Sequence, residues 1–122
     1  MRFDPELMKD ILFRIEEIPA GEEIVDAFQS NDHTDAEVNE HTQLAIEEGF
    51  IKGSALPNTR NMPFLFNITG LTMAGHTFVR NARNDTAWKR VAAQATETGS
   101  SVTLTILNAW LNKAVEKHID LE

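Results

Sequence analysis

Apolar residues Leu7, Met8, Ile11, Leu12, Ile15 and Ile18 recur at intervals of three and four near the start of the chain, the spacing of one helical face. Asp4 before Pro5 predicts where that helix begins, because a carboxylate caps free amides and a first-turn proline lacks only an N–H that would go unpaired anyway. Pro19 and Gly21 predict its end. Glu22 to Gln29 fits a short strand or one helical turn, and we read it as a strand leading into a turn at Ser30-Asn31-Asp32.

Thr34 and Glu37 stand at capping-box spacing, which predicts a helix from Asp35 to Glu48 with Val38, Thr42, Ala45 and Ile46 inward and Gly49 as its left-handed stop. Phe50 and Ile51 leave as a strand. Lys52 to Met62 has the composition of a loop, and Phe64, Phe66 and Ile68 alternate as a returning strand, so a β-hairpin with a long tip is expected. Leu71-Thr72 should close the hairpin and cap a helix carrying Phe78, Val79 and Ala82. Another helix is expected from near Ala87, with Trp88, Val91, Ala92 and Ala95. After Gly99-Ser100-Ser101 a last helix should start from a serine cap and carry Val102, Ile106, Leu107, Trp110, Leu111, Ala114 and Val115.

These elements imply an α+β fold with a winged-helix-like core (helix, short strand, helix, β-hairpin) over residues 1–83. C-terminal helices over residues 84–122 should pack on it, giving one domain overall, as the length of 122 residues suggests. The chain has no cysteine, which excludes disulfides and thiolate chemistry. Acidic residues scattered through the first eighteen positions argue against a signal peptide, and no run approaches a membrane span, so a cytoplasmic protein is expected.

Charge divides the chain. Residues 1–61 carry a net −9 and residues 62–122 a net +1. From Ile15 through Ile51, 37 consecutive residues hold 11 Asp or Glu and no Lys or Arg. A field of that sign repels phosphate backbones and anionic lipids and attracts basic surfaces. Glu37, Glu40, Glu47 and Glu48 on the second helix are therefore the candidate residues for binding a protein partner. Asn39 and Gln43 there have the chemistry to read adenine, but no neighbouring cation would hold the DNA backbone, so nucleic acid is an unfavoured partner. The runner-up is a winged-helix regulator that binds DNA through its wing, using Lys52 and Arg60 with Arg80, Arg83, Lys89 and Arg90 beyond it. Leu107, Trp110, Leu111 and Ala114 are the candidate interface of a homodimer.

Leu71-Thr72, Gly75-His76 and Phe78, then Asp85-Thr86, Trp88-Lys89, Gly99-Ser100 and Val102, resemble a signature of small uncharacterised bacterial proteins often found in phages and prophages. Ile11-Leu12, Ile15-Glu16-Glu17 and the helix end Leu44 to Gly49 are similar too. The chain departs from that pattern at Met73, Ala74 and Asn84. The resemblance implies an origin in mobile elements and a small winged-helix-like fold, with no reaction attached. Enzymatic function is not expected. The paired glutamates diverge along their segments, and His33, His41, His76 and His118 lack metal-ligand spacing, so no cofactor or metal is implied. Glu37 and His41 read as a surface pair one turn apart, and His76 as a structural histidine bonded to the hairpin.

Overall fold

The computed structural model describes residues 3–19, 21–24, 30, 32–56, 65–99 and 102–120, with only the backbone described at 56, 65 and 118–120. Helix α1 spans Pro5–Glu16. Asp4 caps it, its side chain accepting the Glu6 and Leu7 amides, with proline in the first turn as the sequence predicts. The face formed by Leu7, Met8, Ile11, Leu12 and Ile15 is buried. Helix α2, Asp35–Glu47, opens on the predicted capping box: Thr34 Oγ1 accepts the Glu37 amide, and Glu37 Oε1 accepts the Thr34 amide. Gly49, at φ +84°, takes the left-handed conformation after the helix end.

Strands β1, Ile51–Leu56, and β2, Leu65–Leu71, pair antiparallel, with a register shift between Lys52 and Gly53. This corrects the sequence reading at residues 52–56, expected as loop. Their polar character belongs to the outer face of the hairpin, where Lys52, Ser54, Asn67 and Thr69 are exposed, while Phe66 and Ile68 face the core. The expected early strand is a single bridge, in which Ile24 and Ile68 exchange amide bonds of 2.8 and 3.0 Å. The rest of that expectation, Val25 to Gln29, lies outside the described residues, as do Asn31, Phe64 and the hairpin tip.

Thr72 caps helix α3, Met73–Ala82, by accepting the Gly75 amide, and its hydroxyl also donates to the Gly49 carbonyl at 2.6 Å. Gly75 rides against the chain after α2, where a Cβ would stand 2.1 Å from the Phe50 carbonyl oxygen, so only glycine lets the two segments approach. Helix α4, Asp85–Thr98, begins two residues earlier than expected, because the Asn84 side chain accepts the Ala87 amide and makes Asn84 its cap. Helix α5 spans Leu104–Asp120. The residue before it is Thr103, whose Oγ1 accepts the Ile106 amide at 3.2 Å, so a threonine caps the helix where a serine was expected; Ser100 and Ser101 lie outside the described residues.

One hydrophobic cluster runs through both the hairpin-containing part and the C-terminal helices. Phe78 sits at its middle, edge-on to Phe50 and to Trp88, with ring centroids 6.2 and 5.9 Å away. Helix α5 packs on α4 and α3, and α1 lies across α2, α3, α4 and β2. The Trp88 indole N–H donates to Glu6 at 2.8 Å, and Arg83 pairs with Glu16, fastening α1 to α3 and α4 at the surface.

Candidate functional site

Helix α2 buries Val38, His41, Thr42 and Ala45 and turns the opposite face to solvent. Along that outer face Glu40, Gln43, Leu44 and Glu47 line a shallow depression of about 270 Å³. Glu40 and Glu47 are exposed, and Leu44 is half-buried between them. Glu47 accepts from Gln43 Nε2 at 3.1 Å within this face, whereas the other two acids expected to meet a partner cap helix starts. Glu37 is held by the capping box, whose bonds from the Thr34 amide and hydroxyl keep its carboxyl below the usual range. Glu48 turns back to α5, where its Oε2 accepts the Leu104 amide at 3.2 Å and its Oε1 accepts the Thr105 amide and hydroxyl at 3.3 and 2.8 Å. A carboxylate there satisfies free amides and faces the positive end of the helix dipole. Asn39, read as an outward adenine-reading group, is half-buried with its Oδ1 enclosed.

His41 is also corrected by the structure. It is fully buried, and its partners are backbone groups rather than the Glu37 carboxylate. Nδ1 donates to the Glu37 carbonyl at 2.8 Å, and Nε2 accepts the Asp4 amide at 2.9 Å, a pair of bonds that requires the neutral ring. Phe3 stacks on the imidazole, with 5.7 Å between centroids. Asp4 also accepts from His33 Nε2 at 2.8 Å through its second oxygen, and His33 Nδ1 lies 3.3 Å from Ser30 Oγ. Burial alone would raise the Asp4 carboxyl, but the His33 bond and the amides of Leu7 and Glu6 outweigh it and hold it below its ordinary value. The same bond to Asp4 raises His33. This cluster clamps the approach to α2 onto the start of α1.

His76, expected to bond the hairpin, is exposed. It borders a cleft of about 290 Å³ with Glu16, Lys52 and Thr69 between α1, the hairpin and α3. Of the cations assigned to a DNA-binding wing, Arg83 is tied to Glu16 and Lys89 pairs with Asp85 at 3.0 Å, while Arg60 lies outside the described residues. Among the described residues, no group of three or more His, Cys, Asp or Glu is placed to hold a metal ion, and no helix is long and apolar enough to cross a membrane.

Of the four residues expected at a dimer interface, Leu107 and Leu111 are fully buried in the chain's own core, while Trp110 and Ala114 are half-buried. These two lie in a groove of about 190 Å³ between α4 and α5, bordered by Arg90, Gln94, Lys113 and Lys117. Sequence reasoning followed the apolar stripe and missed the cations around it. The signal was present, since Trp110, Lys113, Ala114 and Lys117 follow i, i+3, i+4, i+7 spacing.

The molecule thus belongs to the α+β class, with a two-stranded antiparallel sheet among five described helices and two surface depressions of opposite charge. By sequence the chain belongs to the DUF2513 family, described as "Hypothetical protein (DUF2513)", whose profile matches residues 2–101. No curated relative and no solved structure matches it.

Proposed function

We propose that the chain is a non-enzymatic protein of phage or prophage origin that works in the bacterial cytoplasm through protein–protein contact, with the outer face of α2 as its docking surface. The observation that carries this reading is the placement of exposed Glu40 and Glu47 on either side of half-buried Leu44, on a helix without a single Lys or Arg. An apolar centre with charged flanks is the anatomy of a small protein interface. The order helix, bridge, helix, hairpin is that of a winged helix, in which α2 would enter the major groove. Carboxylates in that position would face phosphates, so a basic protein surface is the better complement. Phage or prophage origin is supported by the signature around Leu71 to Phe78 and Asp85 to Trp88.

Glu37 and Glu48 are excluded from the test because reversing them would remove helix caps. The immobilised chain and its Glu40→Lys/Glu47→Lys variant are exposed to bacterial lysate in about 0.1 M and about 0.5 M salt, where the screening length falls from ~10 Å towards a few Å. A basic protein held by the wild type, lost from the variant and released by salt is the expected result. Equal retention by both chains would sink the reading.

A second reading, DNA binding through the hairpin, is favoured by the exposed row of Lys52, Ser54, Asn67 and Thr69, with His76 and Arg80 exposed on α3. Selection from random duplexes tests it, and recovery of a defined motif with nanomolar affinity would put this reading first.

A further inference from the structure

The α4–α5 groove is the electrostatic counterpart of the α2 face. Arg90 and Gln94 form one wall from α4, Trp110, Lys113, Ala114 and Lys117 form the other from α5, and all three cations are exposed. The two faces are opposite in sign and alike in spacing. On α5 the positions Trp110, Lys113, Ala114 and Lys117 repeat the spacing of Glu40, Gln43, Leu44 and Glu47 on α2, each covering two helical turns or about 10 Å. Ala114 is the small residue beside the bulky Trp110, and such a neighbour leaves room for a side chain the size of Leu44. Glu40 and Glu47, one at each end of the α2 stripe, would then come within reach of the groove's cations.

We propose that this groove receives α2 of a second copy, so that the protein associates head to tail. The proposal rests on the reading of the α2 face as a docking surface, and adds an occupant and an acceptor to it. Each copy carries one acidic stripe and one basic groove at different places on its surface. The contact is therefore heterologous, and it repeats until a ring closes or an open chain forms. The overall charge of −8 opposes association at long range. Near 0.1 M salt the screening length of about 10 Å leaves the close pairs dominant.

Two double variants test the inference in the full chain. Lys113→Glu/Lys117→Glu makes the groove acidic, and Glu40→Lys/Glu47→Lys makes the α2 stripe basic. All four positions are exposed, and circular dichroism checks that each variant folds. By sedimentation velocity at high micromolar concentration, the wild type should self-associate in about 0.1 M salt and weaken in about 0.5 M. Each variant alone should associate at least about tenfold more weakly, since two exposed pairs turn from attraction to repulsion. Mixing the two variants should restore association, because one contact of the mixture is native and the other is charge-swapped. A monomeric wild type, undiminished association of either variant, or a mixture no stronger than its parts would each overturn the proposal. A two-fold dimer facing groove to groove would appear as association that the Glu40→Lys/Glu47→Lys variant does not lose. The docking reading fails separately: a lysate protein lost only with Glu40→Lys/Glu47→Lys, alongside a monomeric wild type, would remove the self-contact and leave the foreign partner.

Discussion

Asp4 makes four kinds of contact from one position: its carboxylate caps α1 and pairs with His33, its amide meets His41, and its carbonyl accepts the Met8 amide. The pair with His33 gives this corner a pH dependence whose sign follows from the two shifts. Asp4 is lowered, so its contribution is present above its unfolded value near 3.9 and is lost as pH falls through the folded one. His33 is raised, so its contribution is full below about 6.5 and is lost as pH rises through its folded value. The penalty of His33→Ala should therefore be largest between roughly pH 4 and 6.5 and shrink on both sides. Thermal melts from about pH 3 to about pH 8 span both losses, and a pH-independent difference in midpoint would contradict the assignment. Both side chains are partly exposed, so the effect is modest.

At the scale of the element, the informative object is the start of α5, where the neighbouring Thr103 takes the Ile106 amide while Glu48, 56 positions before Leu104, takes the Leu104 and Thr105 amides. Glu48→Ala should lower stability by about 1 kcal/mol, the usual value of a helix cap, whereas the adjacent Glu47→Ala should stay within about 0.5 kcal/mol of wild type. Urea unfolding of the two variants distinguishes them, and equal effects would mean that the contact carries no weight. This contrast also marks what a sequence can disclose. The Asp4 and Thr34 caps were legible because acceptor and amides lie within three residues, as were the helical faces of α1 and α3 because periodicity is local. Glu48 looked like one more surface acid, His41 like a surface partner of Glu37, and residues 52–56 like loop. In each case the deciding group was distant: Leu104, Asp4 and the partner strand β2. The basic groove was hidden for the same reason, since Arg90 meets Lys113 and Lys117 only after α4 and α5 fold together.

For the molecule as a whole, the packing joins what the sequence divided at residue 83. Leu107 of α5 is fully buried and belongs to the same cluster as Leu12 of α1 and Ile68 of β2. Leu107→Ala should cost about 2–5 kcal/mol and should lower a single transition for the entire chain. Calorimetry checks both parts, through the midpoint and through agreement between calorimetric and van't Hoff enthalpies. A variant that melts in two steps would show that the C-terminal helices are a separate unit.

The two tryptophans occupy unlike surroundings, and the chain has no tyrosine. Trp88 is 2 % exposed, with its N–H bonded to Glu6 and Lys9 over its ring 5.0 Å from the centroid, while Trp110 is half-buried among cations. Their ultraviolet emission therefore divides into a short-wavelength component from the interior and a longer-wavelength one from the groove. Iodide, an anion drawn to Arg90, Lys113 and Lys117, should quench the second and spare the first. One molecule thus carries two built-in lamps, and the outer one dims or brightens with whatever enters the groove.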